Sequence, residues 1–211
     1  WPFLFPSPDG KYLLVWVEDG ARAGHALYAA PHEGLRGGKL EWRKLTDLDD
    51  GVTSAVFHGD FAYVLTAGGQ DGKPQILRIG LTSGTFKTAE RILLPAPDSI
   101  VTGIDAAADA LYVTATEGFT PAFYRIPYGG KAAKIEPPVA GAVRSFLVNP
   151  AAEGGLFSIT AWTRPSDLYR YDRKHAWRQA ADIQLPSSLG EKLDLIAETV
   201  KVRSHDGVEV P

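Results

Sequence analysis

Short apolar runs alternate with polar turns along nearly the whole chain, and helical periodicity is almost absent. Many of the runs are rich in β-branched and aromatic residues and end at Asp-Gly, Gly-Gly or Pro. That pattern predicts an all-β protein built of many short strands. The runs also recur in a fixed order. One series covers residues 12–17, 62–66, 111–115 and 156–160. A second follows each after a short loop, at residues 26–28, 75–79, 123–126 and 168–171. Weaker runs close the units at 42–45, 91–94, 133–135 and 177–180, and apolar runs open three of them at 54–57, 100–104 and 145–148.

A module of four strands repeating every roughly 45–50 residues predicts β-propeller blades, about four in series. The turn Ser7-Pro8-Asp9-Gly10 falls between the first two strands of the first blade, with Gly placed to accept a positive φ. Small residues in the opening strands suit a crowded central axis. A β-sandwich would not repeat as a four-part module, and β-helix repeats are shorter. Residues 1–190 therefore read as blades. A ring needs at least four blades and commonly has more, so the chain is either a small closed ring or part of a larger one. Open ends would leave blade faces free to pair with another copy.

After Gly190 the repeat breaks. Residues 191–197 read as a loop or short helical turn, residues 199–202 as a strand, Ser204-His205-Asp206-Gly207 as a turn, and residues 208–210 as the start of another strand. The end in mid-hairpin and the methionine-free start at Trp1 both suggest a piece cut from a longer protein.

Charge and composition narrow the chemistry. The net charge is -3 with Lys and Arg scattered singly, which gives a nucleic-acid partner no electrostatic footing. Cysteine is absent, so disulfides, thiolate metal sites and cysteine nucleophiles are excluded. No apolar run approaches the roughly 18 residues of a membrane helix. A soluble protein is expected, with cytoplasm and periplasm both open.

Ser204-His205-Asp206 has the letters of a hydrolase triad, but three successive residues of a turn point in different directions and cannot converge on one substrate. No G-x-S-x-G elbow occurs, and Ser83 sits in a polar turn. His25, His32, His58, His175 and His205 stand apart, without metal-ligand spacing. Asp49-Asp50-Gly51 reads as a solvated turn rather than a calcium site. The glycine-rich stretch 68–72 opens no helix and cannot present helix amides to a phosphate. Trp16, Phe119 and Trp162 lie near strand ends, where packing between blades is the plainer role and a binding face the alternative. No catalytic, cofactor-binding or metal residue is assigned, and no cofactor is expected.

Three stretches carry a family resemblance. Residues 5–14, with Ser7-Pro8-Asp9-Gly10-Lys11-Tyr12, look like a blade opening of the prolyl oligopeptidase family of serine peptidases. Residues 155–172 resemble its last blade, where an F-x-x-T-S-x-x-x-P stretch runs into Tyr169-Arg170-Tyr171-Asp172. Here Ala161 and Trp162 replace the usual small polar and aromatic pair. Residues 198–211, with Ser204-His205-Asp206-Gly207-Val208-Glu209-Val210-Pro211, resemble the passage from propeller to α/β-hydrolase domain.

The resemblance implies a seven-bladed propeller of which this chain holds roughly the last four. Residues 191–211 would be the linker and first strand leading into the hydrolase domain. It also implies that nucleophile, acid and histidine lie in that domain, and that the propeller caps the active site and admits only short peptides. The partners implied are the hydrolase domain of the same parent chain and a short proline-containing peptide. The rival is a stand-alone propeller that binds a protein or small ligand, although the Trp-Asp and Gly-His signature of WD repeats is missing.

Overall fold

The computed structural model describes residues 1–69, 72–161, 163–180, 195, 196, 198 and 200–210. Sixteen strands of the repeat form four separate four-stranded antiparallel sheets, each a meander in chain order. The first blade holds β1 (Pro2–Pro6), β2 (Tyr12–Glu18), β3 (His25–Pro31) and β4 (Arg43–Thr46). The second holds β5 (Val52–His58), β6 (Phe61–Thr66), β7 (Gln75–Gly80) and β8 (Glu90–Ile92). The third holds β9 (Ile100–Ala106), β10 (Ala110–Glu117), β11 (Thr120–Pro127) and β12 (Ala133–Lys134). The fourth holds β13 (Ala142–Val148), β14 (Gly155–Ala161), β15 (Arg164–Asp172) and β16 (Ala176–Gln179). In the tail, β17 (Val202–Arg203) pairs with β18 (Glu209–Val210).

Side chains explain the stacking. Along a strand they alternate between faces, so each middle strand can feed two cores at once. Leu14, Leu27 and Leu45 of the first blade meet Ala62, Val64, Leu77 and Ile79 of the second. Tyr63, Leu65 and Ile76, on the other side of the second blade, meet Leu111, Val113, Tyr124 and Ile126 of the third. Tyr112 and Phe123 then meet Val148, Phe157 and Trp177 around the fourth. Between blades, β3 touches β5, β5 touches β9 and β11 touches β13. The opening strand of a blade is therefore where neighbouring blades converge.

The Ser7–Gly10 turn forms as expected. The Ser7 hydroxyl donates to Asp9 at 2.7 Å and accepts from the Tyr12 amide at 3.0 Å, and Gly10 takes φ 72°. The closing strands are shorter than the sequence suggests. Leu93, Leu94 and Ile135 fall outside β8 and β12, because an outer strand has a neighbour along one edge only and little to bury against. In the tail, residue 199 of the expected strand lies outside the described residues, and pairing is described from Val202, with Gly207 at φ 85° in the turn. Most of the stretch 191–197 lies outside the described residues.

One face of the first blade is apolar and only partly covered: Leu4 and Pro6 are exposed, Leu13, Val15 and Tyr28 half-buried, and Ala30 buried. Leu4, Val15 and Tyr28 are register partners across β1, β2 and β3, as are Pro6, Leu13 and Ala30. These residues lie opposite the side that packs on the second blade. The free side of the fourth blade is more polar, with Ser158 bonded to Ser166 at 2.6 Å and Leu156 paired in register with Arg170.

Candidate binding surface along the converging strands

The opening strands of the second, third and fourth blades share an irregularity. Register shifts between Val52 and Ser54 in β5, opposite the Thr114/Ala115 step in β9, and between Val143 and Ser145 in β13. Each shift leaves one residue without a register partner: Thr53, Thr102 and Arg144. A bulge re-aims a side chain away from the regular pleat, and all three residues are exposed. The Thr53 hydroxyl donates to the Leu65 carbonyl at 3.2 Å, and Thr102 donates to Thr114 at 3.0 Å. Arg144 has no hydrogen-bond or ion-pair partner among the described residues. The opening strands of three blades thus offer two hydroxyls and, on the fourth blade, a guanidinium with no partner among the described residues. Hydroxyls of this kind suit hydrogen bonding, and an exposed guanidinium suits a carboxylate.

The turns that join the first and second strands of the blades carry a second group of polar residues. The Tyr12 hydroxyl of the first blade donates to Asp60 of the second at 2.9 Å. Asp109, after β9, accepts from Arg125 Nε at 3.0 Å and Nη2 at 2.7 Å, from the Tyr112 hydroxyl at 3.3 Å and from the Gly154 amide of the fourth blade at 2.9 Å. Burial, first, and the neighbouring Asp109 charge push the Tyr112 phenol well above its ordinary range. The Tyr128 hydroxyl donates to the Ala107 carbonyl at 2.7 Å, and its ring stacks on His58 of the second blade with centroids 3.5 Å apart. Burial holds the His58 imidazole below its usual value, which favours the neutral ring near pH 7.

Burial also pushes the Asp105 carboxyl on β9 upward, partly opposed by the bond it accepts from the Ala106 amide at 2.8 Å. A folded-state value above the unfolded one means the folded chain holds more protons between the two. Stability from this group is then full below the unfolded value and is lost as pH rises through the folded one. Asp105→Asn keeps the acceptor and removes the charge. It is expected to raise stability at pH 7 and flatten the pH dependence above pH 4. Urea melts across pH 4–8 check this, and a variant less stable than the parent at pH 7 would refute it.

The residues singled out in the sequence do not gather into one site. The Ser204 hydroxyl lies 3.3 Å from His205 Nδ1, but the Asp206 carboxylate accepts from the Val208 amide at 3.1 Å. That bond leads the effects that hold its value down. The trio builds a hairpin turn. His25 meets the Val52 carbonyl at 2.9 Å, His32 the Gly10 carbonyl at 2.8 Å, and His175 the Asp172 carboxylate at 2.9 Å. Asp50 joins Asp47 in a capping box around the 3-10 turn Leu48–Asp50, and Asp49 pairs with Arg22 at 2.6 Å. No group of three or more His, Asp or Glu among the described residues could hold a metal ion. Ser83 offers its carbonyl to Arg43 of the first blade at 2.8 Å. Gly69 and Gly72 close a turn through the Gly72 amide, and residues 70 and 71 lie outside the described set.

Of the three aromatics, Trp16 packs into the core between the first two blades and stacks on His25 at 4.4 Å. Phe119 stands 79% exposed in the two-residue turn at the tip of the β10–β11 hairpin, contrary to a packing role. Trp162 lies outside the described residues.

No family model matches the chain, and no curated protein sequence does. Solved structures do. The apo form of prolyl oligopeptidase B from Galerina marginata superposes with a TM-score of 0.72 at 17% identity, over 99% of this chain and 30% of that one. A prolyl endopeptidase structure, studied for inter-domain dynamics in catalysis and specificity, gives 0.69 at 17% identity over 100% of this chain and 30% of the other. The Galerina marginata enzyme bound to a 25mer macrocyclization substrate gives 0.63 at 18% identity over 98% and 29%. The chain thus has the fold of the β-propeller portion of prolyl oligopeptidases, across a span of about 30% of their length.

Proposed function

We propose that the chain is the gating propeller portion of a prolyl oligopeptidase-like serine peptidase that hydrolyses short proline-containing peptides. The observation that carries this is the extent of the likeness, which runs through all four blades and the tail hairpin. On this reading the acyl-enzyme chemistry belongs to an α/β-hydrolase domain of the same parent chain. The four blades belong to a seven-bladed ring that screens substrates by size, and residues 191–211 lead toward the catalytic domain. The exposed Thr53, Thr102 and Arg144 on the converging strands are the residues of this chain best placed to meet a passing peptide.

Two measurements test the proposal. The coding sequence past Pro211 should contain a G-x-S-x-G elbow within about 200 residues, followed by an Asp and then a His. A stop codon near Pro211 would leave a stand-alone binding propeller instead. The pure 211-residue chain should not cleave a chromogenic Gly-Pro substrate, and turnover that survives repurification would overturn the division of labour.

The same reading expects the chain on its own to self-associate through the apolar side of the first blade, the side a neighbouring blade would cover. Val15→Lys places a charge at the centre of that face and is expected to return the chain to a monomer in sedimentation velocity. A parent chain that is already monomeric at about 100 μM, well above typical specific dissociation constants, would count against it.

A further inference from the structure

A groove of about 670 Å³ runs between the outer parts of the second and third blades. That size is within the roughly 300–1,000 Å³ of ligand clefts. One wall is β8 with Leu93 and Leu94, the other is the Gly129-Gly130-Lys131 turn that follows β11, and Tyr63, Leu111 and Ile126 line it between them. Leu93 is largely exposed, while Ile92 and Leu94 are half-buried against the core shared by the two blades.

The charges in the groove are unequal. Glu90 is the one carboxylate among its described lining residues, and Arg78 neutralises it while lying over the Phe61 ring at 4.7 Å. Arg91 and Lys131 line the same groove with no ion-pair or hydrogen-bond partner among the described residues. Two free cations thus flank an apolar floor on a chain whose net charge is -3. The backbone adds a third feature. β8 is the last strand of its sheet and pairs only with β7. Its other edge presents unpaired amide and carbonyl groups, which an extended segment can extend as an added strand.

We propose that this groove docks an extended acidic peptide segment that carries aliphatic side chains, with carboxylates on Arg91 and Lys131 and an aliphatic group against Leu93 and Leu94. The site lies on the outer part of the blades, away from the converging strands, and does not depend on the peptidase reading.

The test is fluorescence anisotropy on the whole chain with a labelled Glu-Leu-Glu-Leu-Glu-Leu peptide. Lys-Leu and Glu-Gly hexapeptides serve as comparators. The acidic aliphatic peptide should bind at least about tenfold more tightly than either comparator. R91E/K131E should weaken it at least about tenfold, the sum of two lost attractions and two new repulsions of exposed charges. Both substituted residues are exposed, so the melting temperature should stay within about 2 °C of the parent. A second pair, R173E/K174E, reverses exposed charges on the fourth blade and should leave binding unchanged. Equal weakening by that pair would reduce the effect to general electrostatics and overturn the proposal, as would equal binding of the Lys-Leu peptide. If R91E/K131E alters sedimentation of the chain and leaves peptide binding alone, the groove is a contact between copies and the proposal falls.

Discussion

Asp109→Ala is expected to destabilise the chain by about 3–5 kcal/mol, the cost of breaking a buried ion pair by removing one partner. The Asp109 side chain is 9% exposed and that of Arg125 12%. Together they tie the β9–β10 turn of the third blade to the β13–β14 turn of the fourth. One carboxylate accepts both guanidinium bonds, the Tyr112 hydroxyl and the Gly154 amide. Truncation leaves the phenol and the amide without their acceptor and the cation with the Asp109 carbonyl at 3.2 Å, and each unmet group adds its own desolvation penalty. Gly154 has little room to rearrange, since it takes φ 71° and any Cβ there would lie 2.0 Å from the Tyr171 carbonyl oxygen. Urea melts at constant m-value measure the loss. The double variant D109A/R125M removes the stranded cation as well and should recover part of it. A single-variant loss under about 1 kcal/mol would mean that water replaces the carboxylate, and the pair would then be an ordinary surface contact.

The sequence displays the blades far better than it displays this network. The middle strands announce themselves because both of their faces are buried: Leu111, Tyr112 and Val113 of β10 feed two different cores, so the run is continuously apolar. The outer strands β8 and β12 give a weak signal because Arg91 and Lys134 face solvent and only one edge is paired. Asp109 gives no local signal at all. Its partners lie 16 and 45 residues further along the chain: the pairing of β10 with β11 brings Arg125 to it, and the stacking of the fourth blade on the third brings Gly154. The bulges at Thr53, Thr102 and Arg144 are hidden for a related reason. A register shift is a property of two strands together, and a single strand read alone shows an unbroken apolar–polar sequence. The tail trio was legible for the opposite reason: everything that orders Ser204, His205 and Asp206 is contained within the turn itself.

Phe157→Ala is expected to cost about 3–5 kcal/mol as well, but with a different distribution over the molecule. Phe157 is 0% exposed and sits in a ring cluster with Phe123 at 5.1 Å, Tyr112 at 5.4 Å, Trp177 at 5.4 Å and Phe146 at 6.1 Å. Tyr112 and Phe123 belong to the third blade, the rest to the fourth, so the cavity opens in the one core that holds the terminal blade. In a stack of modules each blade is stabilised by its own packing and by the interface to its neighbours. Among the described residues, blades two and three each have two such interfaces and the fourth has one. A loss at that interface of a size comparable with the whole stability of a small domain should therefore release the fourth blade before the others. Amide hydrogen exchange reads this directly. Protection in β13 to β16 should collapse in the variant, while β2, β6 and β10 exchange at nearly the parent rate. Uniform loss of protection across all four sheets would show instead that the blades fold as one cooperative unit. Under the proposed gating role, the fourth blade could then not open without unfolding its neighbours, and gating would have to come from motion of the propeller as a rigid body.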